Sequence, residues 1–449
     1  MPSRAANRDA VLGIFNHVIS QIEPVNLVQQ DIQMVAEHTM RIKHQIIRLP
    51  LGKQIYLFGI GKAGVSMVSK AREIIGEKVA GGVCIVPDGL AQEIPDIDVY
   101  EAGYPYPDQR GLDATKKIID IVSNRGPADL LLFFISGGGS SMLVAPPEGV
   151  SLQDMIELNQ LLMSSSLPID EINTIRRHVS TITGGGVLRL ARDARVVTVI
   201  LSNVLNNDPW DIASGPTVPD KTNFCDALAI VIRRGFKHKI PIAVLKHLQQ
   251  GAFGNRLDTF KKILVHERYR DPILLASNET MRKIAVDYVK SYGLKVHEIE
   301  TPLSGDPAAG GRAVANVLKD VYEENKNDLP ICVIASGKCE ISDPVDCNLT
   351  GRNQEFALAA ALSALKDIPY AYLLSANTGG EDGSFHSKYS GAIVSAKTAA
   401  QIDEFGIDAI EELIEHRATP VLEKIGATYK NGKFNSNLLD LVIAIASDK

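Results

Sequence analysis

The chain has 449 residues, of which 45% are hydrophobic and 22% charged, and its formal net charge is −6. This composition is typical of a soluble globular protein, and the length predicts two or three domains. The negative net charge argues against a nucleic-acid-binding protein, although a few cations in one cleft can still bind a small anion.

The sequence gives no sign of export or of a membrane partner. Residues 1–9 contain no apolar core, so we expect no signal peptide, and the apolar run at 130–135 is too short to span a membrane. The odd number and the scatter of the cysteines predict reduced thiols and a cytoplasmic location. They are Cys84, Cys225, Cys332, Cys339 and Cys347.

Hydrophobic periodicity predicts a first helix at 9–22 that ends at Pro24. From residue 54 onward, short apolar runs alternate with amphipathic segments. Strands are predicted at 54–58, 82–86, 130–135 and 196–201, and helices at 63–76, 109–124, 152–163 and 171–191. Alternation of this kind, with nearly continuous apolar strands, favours a parallel sheet covered by helices on both faces.

A polar segment at 251–271 is the predicted connection between two domains, 1–250 and 270–449. After it the alternation restarts. Strands are predicted at 272–276, 294–299, 330–335, 370–375 and 440–446, helices at 279–292, 307–324, 353–365, 397–404 and 407–425, and a glycine-rich loop at 376–391. We therefore expect two α/β domains whose glycine-rich loops face one cleft.

The first candidate site is a glycine loop that carries a lysine. Gly59, Gly61 and Gly64 follow a strand and open a helix, in the spacing of a dinucleotide-binding loop, and Asp88 follows the next strand as a candidate ribose ligand. Lys62 at a helix N-terminus is unfavourable by up to about 1 kcal/mol unless an anion is bound there. We interpret Lys62 as an anion-binding residue, with a solvated surface lysine as the alternative.

The second candidate is the loop after the most apolar strand, which contains Gly137, Gly138, Gly139, Ser140 and Ser141. Glycines allow close backbone approach to a ligand, so this loop is a candidate phosphate or carboxylate site. A glycine-rich turn with capping serines is the alternative. No G-x-x-x-x-G-K-[ST] motif occurs, so the chain is not a P-loop enzyme.

A long polar loop at 201–217 follows a predicted strand, at the end where open α/β sheets bind ligands. Asp208 in this loop is either a metal ligand or base, or the first residue of an Asx turn. On the preceding helix, Arg176 and Arg177 are candidates to bind an acidic substrate, and His178 is interpreted as structural.

The second predicted domain contributes Arg352 and Asp382. Arg352 stands just before a helix, and its planar fork suits phosphate or carboxylate; a salt bridge to Glu355 or another acid is the alternative. Asp382 lies in the glycine-rich loop, where it either holds Mg²⁺ or caps a turn.

Four segments together resemble the class II glycerate kinase family, whose C-terminal half is the MOFRL domain. They are 61–63, 135–140, 212–220 and 351–358, and the resemblance extends over nearly the whole chain. It implies a Rossmann-like, doubly wound, mostly parallel sheet, followed by a MOFRL α/β domain with a mixed sheet. It also implies transfer of the γ-phosphoryl group of ATP to D-glycerate with Mg²⁺, and the expected product is 2-phosphoglycerate.

The resemblance implies that Lys62 and Arg352 are the functional cations of an interdomain cleft. We expect Lys62, Arg352 and Asp208 to be catalytic, the loop at 137–141 to bind ATP phosphates, and Asp208 or Asp382 to hold Mg²⁺. The expected partners are glycerate and a nucleotide. The sequence does not fix the oligomeric state, and a homodimer is among the states that it allows.

Two other functions stay open at this point. An NAD(P)H-dependent hydroxypyruvate reductase is supported by the G-x-G-x-x-G spacing alone. A non-catalytic sugar-acid or nucleotide binder is supported by two departures from the family, because Asn203 and Asn207 stand where relatives carry carboxylates.

Overall fold

The computed structural model describes residues 8–165, 167–261, 271–341, 348–382, 387–432 and 436–448. It divides into two compact units. The first, called the inserted unit, comprises Pro24–Leu275. The second, called the terminal unit, comprises Met1–Glu23 and Ala276–Lys449, and it begins with helix α1 (Arg8–Gln21).

The inserted unit starts with an antiparallel segment and continues as alternating strands and helices. Its helices are α2 (Pro24–Asp31), α3 (Gly64–Ile75), α4 (Gln109–Ser123), α5 (Gly139–Met142), α6 (Leu152–Met163), α7 (Ile169–His178), α8 (Gly186–Ala191), α9 (Phe224–Arg233) and α10 (Ile242–Ala252). Its strands are β1 (Ile32–Ala36), β2 (Thr39–Ile42), β3 (Gln45–Arg48), β4 (Ile55–Ile60), β5 (Val79–Pro87), β6 (Ile97–Ala102), β7 (Leu130–Ile135), β8 (Arg195–Leu201) and β9 (Ile273–Ala276).

The main sheet of the inserted unit has the strand order β6-β5-β4-β7-β8-β9, and its registered pairs are parallel. All six residues of β7 are buried, because helices cover both faces of a central parallel strand. Phe58 of β4 lies opposite Phe133 of β7, and their rings stack with centroids 4.4 Å apart. The predicted parallel α/β sheet is confirmed.

A three-stranded antiparallel sheet, β1-β2-β3, precedes the main sheet and was not predicted. Its strands are short and alternate buried with exposed residues; Met40 and Ile42 are buried, whereas Arg41 between them is exposed. A single buried face is the pattern of an antiparallel sheet that packs on one side only.

The terminal unit contains a mixed sheet. Its helices are α11 (Asn278–Ser291), α12 (Pro307–Glu324), α13 (Arg352–Leu362), α14 (Thr398–Glu404), α15 (Ala409–Ile414) and α16 (Ala418–Lys424). Its strands are β10 (Lys295–Glu298), β11 (Ile331–Gly337), β12 (Tyr370–Asn377), β13 (Gly391–Ser395), β14 (Thr428–Tyr429) and β15 (Asp440–Ser447). In the order β10-β11-β15-β12-β13-β14, only β10 and β11 pair in parallel, among the registered pairs of the described residues.

Helix α13 is the buried helix of the terminal unit. Residues 353–361 are all buried, as expected for a helix enclosed on every side. Helix α12 crosses α13 at short distance, as Gly311 shows: a Cβ built there would lie 2.0 Å from the carbonyl oxygen of Phe356. Only glycine permits this approach, and the crossing fixes the depth at which α13 is held in the unit.

The two units differ from the predicted domain ranges 1–250 and 270–449. Helix α1 packs on α11, β12 and β15, and Phe15 meets Tyr429 edge to face at 5.7 Å. The chain therefore starts in the terminal unit. The strand predicted to open the second domain is β9, which pairs beside β8 in the first sheet.

Two long predicted helices are wrong because each is interrupted. The segment 171–191 forms α7 and α8, separated by a turn in which Gly184 and Gly185 have φ of 55° and 77°. The segment 407–425 forms α15 and α16, with His416 at φ 53° between them. Within the described ranges no helix is long and apolar enough to cross a membrane.

Candidate functional site

The lysine loop and the glycine-rich loop lie side by side in the inserted unit. They follow β4 and β7, which are parallel neighbours, so both loops leave the sheet at the same edge. The Lys62 N–H donates to the Gly137 carbonyl at 3.1 Å, and the Ala63 N–H donates to Ser136 Oγ at 3.0 Å. Backbone hydrogen bonds therefore fix one loop on the other.

The glycine-rich loop is crowded on one side and keeps unused backbone donors. A Cβ on Gly137 would lie 2.3 Å from the Asn203 side chain, and one on Gly139 would lie 2.6 Å from Ala213. Gly138 has φ 92°, a conformation that favours glycine. Among the described residues, the N–H groups of Gly137, Gly138 and Gly139 donate to no acceptor. Three consecutive donors of this kind form a concavity suited to an anion.

The Tyr104 ring lies next to both loops. The Lys62 ammonium lies 4.8 Å from the centroid of the Tyr104 ring, and a Cβ on Gly138 would lie 3.3 Å from the same ring. A cation over a ring face is stabilised by the ring quadrupole. The ring therefore holds the ammonium next to the glycine-rich loop, which is the geometry expected of an anion-binding lysine.

A chain of polar side chains connects the glycine-rich loop to helix α7. Ser140 Oγ lies 2.9 Å from Ser214 Oγ, which donates to Asn173 Oδ1 at 3.2 Å. Asn173 Nδ2 in turn donates to Asp211 Oδ1 at 3.3 Å. Ser214 and Asn173 are buried, so the chain rigidly positions the Ser140 hydroxyl at the loop.

Asp208 lies in the loop after β8, and its carboxylate accepts no hydrogen bond from the described residues. The turn before Pro209 is made instead by Asn206, whose Oδ1 accepts from the Asp208 N–H at 3.1 Å. The Asx-turn alternative for the Asp208 side chain is therefore wrong. Asp211 follows three residues later, and burial raises its pKa, with the charge of Asp208 adding to that effect.

The two neighbouring arginines on α7 have different environments. Arg177 is buried and forms ion pairs with Asp220 at 3.1 Å and with Asp211 at 3.6 Å, so it is structural. His178 is buried as well; Nδ1 lies 2.8 Å from the Thr174 carbonyl. Arg176 is half-buried, and its Nε donates to Asn159 Oδ1 at 2.9 Å.

Arg352 forms a two-bond ion pair in the terminal unit. Its Nε and one Nη donate to Asp440 at 2.6 and 2.8 Å, and Asn377 Nδ2 donates to the same carboxylate at 2.7 Å. Burial alone would raise the pKa of Asp440, but the guanidinium and the hydrogen bonds hold it below its ordinary value. The salt-bridge alternative for Arg352 is thus realised, with Asp440 rather than Glu355 as its partner.

Asp382 caps the N-terminus of α13. Its Oδ1 accepts from the backbone and side-chain nitrogens of Asn353, both at 2.9 Å. Its Oδ2 accepts from the backbone and side-chain nitrogens of Gln354 at 3.0 and 3.1 Å. The carboxylate is fully buried, and these donors occupy the positions that a metal ion would need. The structure favours capping over the predicted Mg²⁺ role.

The predicted site residues therefore form two groups. Lys62, Asp208 and the glycine-rich loop belong to the inserted unit, whereas Arg352 and Asp382 belong to the terminal unit. Within the described residues no cluster of three or more His, Cys, Asp or Glu side chains could hold a metal ion alone. Asp88, the candidate ribose ligand, is instead paired with Arg110 at 2.5 and 3.1 Å.

Comparison with known proteins decides the family. The model of a domain of unknown function, DUF4147, matches residues 10–249, and the MOFRL family model matches residues 331–440. The chain is 31% identical to the D-glycerate 2-kinase of Thermotoga maritima, covering 94% of this chain and 97% of that protein. The chain belongs to the glycerate kinase family.

Other relatives agree with this family and show that its members carry two names. The crystal structure of a Thermotoga maritima glycerate kinase superimposes with a TM-score of 0.81 at 29% identity, covering 97% of this chain and 98% of that one. A protein of Agrobacterium vitis named putative hydroxypyruvate reductase is 30% identical over 90% of both chains. The predicted family and two-domain α/β fold are confirmed.

This glycerate kinase family member contains site residues that the sequence reasoning missed. Tyr104 and Asn173 carry no motif, and only their contacts with the two loops reveal them. Asp440 does carry a signal, because it is a lone carboxylate immediately before an apolar run. Since β15 is antiparallel to β11 and β12, its first residue lies at the edge where those strands end.

Proposed function

We propose that this protein is a kinase that transfers the γ-phosphoryl group of ATP to D-glycerate and produces 2-phosphoglycerate. The observation that carries the proposal is the pair of joined loops, in which three glycine N–H groups without an acceptor among the described residues lie beside Lys62. Phosphoryl transfer needs positioned donors and cations rather than covalent catalysis, and this arrangement supplies both.

The inserted unit provides the phosphate-binding part of the proposed mechanism. Gly137, Gly138 and Gly139 donate backbone hydrogen bonds to phosphate oxygens, and Ser140, whose hydroxyl is held by Ser214, fixes the end of the loop. Lys62 neutralises the charge on the transferring group. The glycerate hydroxyl oxygen forms the new bond to phosphorus and releases its proton to solvent water. The bond from phosphorus to the bridging oxygen breaks, and ADP leaves with that electron pair.

Asp208 is the residue that fits Mg²⁺, because its carboxylate has no hydrogen-bond donor among the described residues. Asp382 does not fit, since both of its oxygens are saturated. Protein sites commonly hold Mg²⁺ through one or two carboxylates together with substrate phosphates, so one aspartate is sufficient. When bound, the ion would neutralise phosphate charge, and Asp208 would orient the phosphates through it.

Arg352 is the proposed cation of the terminal unit. Its Nε and one Nη are occupied by Asp440, which leaves the other Nη without an acceptor among the described residues. That remaining edge can donate to a phosphate or carboxylate oxygen, while Asp440 keeps the side chain in one rotamer.

An incubation with ATP, Mg²⁺ and D-glycerate tests the proposal. We expect ADP and a phosphorylated acid whose phosphate position is read by ³¹P–¹H NMR. Lys62→Ala serves as the negative control. Phosphate on C3 would correct the product, and no phosphorylation of D-glycerate with retained nucleotide binding would favour a non-catalytic binder.

A nicotinamide-dependent hydroxypyruvate reductase is the second candidate, since one relative carries that name and the loop has the G-x-G-x-x-G spacing. Two observations weigh against it: Lys62 occupies the loop, and the carboxylate of Asp88 is already bound to Arg110. Oxidation of NADH or NADPH by hydroxypyruvate, without kinase activity, would establish this candidate in place of the first.

A further inference from the structure

Arg176 is a half-buried cation without an anionic partner. Among the described residues its guanidinium donates one side-chain hydrogen bond, from Nε to Asn159, and forms no ion pair. Burial lowers the pKa of Arg176 to about 10, so the group stays protonated at neutral pH. Burying a charge without a partner is costly, so an anion bound at the exposed part of this guanidinium would stabilise it.

The position of Arg176 follows from two independent sets of contacts. Asn173 lies one turn earlier on the same face of α7 and is connected through Ser214 to Ser140 of the glycine-rich loop. On the other side, Tyr104 is near enough to Arg176 to interact with it electrostatically, and the Tyr104 ring lies beside Gly138 and Lys62. Arg176 therefore stands beside the anion-binding loops.

The neighbouring Arg177 is a structural arginine of the same helix, and its partners differ from those of Arg176. Two carboxylates, Asp211 and Asp220, neutralise it within 3.6 Å. Arg176 has an uncharged partner instead, because Asn159 accepts from Nε without cancelling the charge. Asn159 is itself buried and anchored, since its Nδ2 donates to the Met155 carbonyl at 2.8 Å. The side chain is thus positioned while its two terminal nitrogens stay available.

We propose that Arg176 binds the carboxylate of the hydroxy-acid substrate and makes the site specific for acids over neutral polyols. The inference rests on the proposed function. The two terminal nitrogens match the two oxygens of a carboxylate, and Asn159 holds the guanidinium plane for them. Lys62 then remains for the phosphoryl group, so each charge of the substrate pair has its own cation.

Steady-state kinetics of Arg176→Gln and Arg176→Lys test this division of roles. We expect the KM for D-glycerate to rise about 10- to 100-fold in Arg176→Gln, from the loss of a charge-assisted pair, and less in Arg176→Lys. The KM for ATP should stay within about twofold. The preference for D-glycerate over glyceramide, its neutral amide, should fall by the same factor. Arg41→Gln, at an exposed arginine that contacts Gln33, is the matched control.

Each outcome decides the inference. Active wild-type enzyme together with an unchanged KM for D-glycerate in Arg176→Gln overturns the inference and leaves the proposed function intact. Wild-type enzyme that phosphorylates no hydroxy acid overturns both. Thermal unfolding is measured for both variants; if neither folds, Arg176 belongs to the core and the inference is overturned as well.

Discussion

Asp382→Asn separates a helix-capping role from a metal-binding role. The wild-type carboxylate accepts four hydrogen bonds, two on each oxygen, from the first residues of α13. Asparagine has the same shape, so the variant leaves no cavity. One of its two terminal atoms becomes an NH₂ group that faces two donors instead of accepting from them.

The expected loss of stability follows from that count. Two of the four bonds disappear, and a hydrogen bond to a charged group contributes about 1.5–3 kcal/mol, so the terminal unit should lose roughly 3–6 kcal/mol. A typical domain is stable by about 5–15 kcal/mol, so the loss is a large fraction of the total. The carboxylate of Asp382 also lies near Arg352, and its removal should lower the pKa of that guanidinium.

Chemical denaturation followed by far-ultraviolet circular dichroism is the appropriate assay. Trp210 is the only tryptophan and lies in the inserted unit, so its fluorescence reports on that unit alone. Asp208→Asn is the matched control, because its carboxylate has no donor among the described residues. We expect that control to change stability by less than about 0.5 kcal/mol while it lowers kcat and raises the Mg²⁺ requirement.

The opposite pattern would refute this reasoning. If Asp382→Asn unfolds at the wild-type denaturant concentration and needs more Mg²⁺ for activity, Asp382 is a metal ligand. In that case the hydrogen bonds to α13 would be exchanged for the ion in the working enzyme, and the assignment of Mg²⁺ to Asp208 alone would be wrong.

The remaining predictions concern the two cations Lys62 and Arg352. Lys62→Ala should lower kcat/KM at least about 100-fold, or roughly 2.7 kcal/mol, with unchanged unfolding; unaltered kinetics would make Lys62 a surface lysine. The Arg352→Lys variant should have much lower activity than the wild type, because an ammonium cannot make both bonds to Asp440 and still donate to a substrate. Near-normal turnover of this variant would show that charge alone is needed.

The sequence predicted the parallel sheet well because its strands are buried on both sides. The run 130–135 coincides with β7, and 196–201 differs from β8 by one residue. Strands with one exposed face were missed: β1, β2 and β3 mix polar with apolar residues over four or five positions. Such short alternation is not distinguishable from a loop without knowledge of the surface on which it packs.

The candidate site, like the fold, combines features that depend on neighbouring residues with contacts between residues far apart in the sequence. The conformation of the lysine loop and of the glycine-rich loop was predictable, because a glycine cluster after a strand has a local conformational meaning. Arg352 was found by the same logic, but its partner Asp440 lies 88 residues away in sequence. For Asp382 the sequence left capping and Mg²⁺ binding open for a related reason, since its four donors belong to a helix that begins 30 residues earlier.

Helix α1 has a consequence for how the protein is made. Its buried face, which includes Val11, Ile14 and Phe15, packs on strands that the ribosome produces last, β15 among them. At about 5–20 residues per second, the roughly 420 intervening residues take on the order of 20–80 s to synthesise. Until then the surface that covers the helix is incomplete, because α11 is synthesised first and β12 and β15 follow only later. A C-terminal fragment expressed by itself would expose the surface that α1 covers, and adding residues 8–21 back as a peptide should bind and stabilise it.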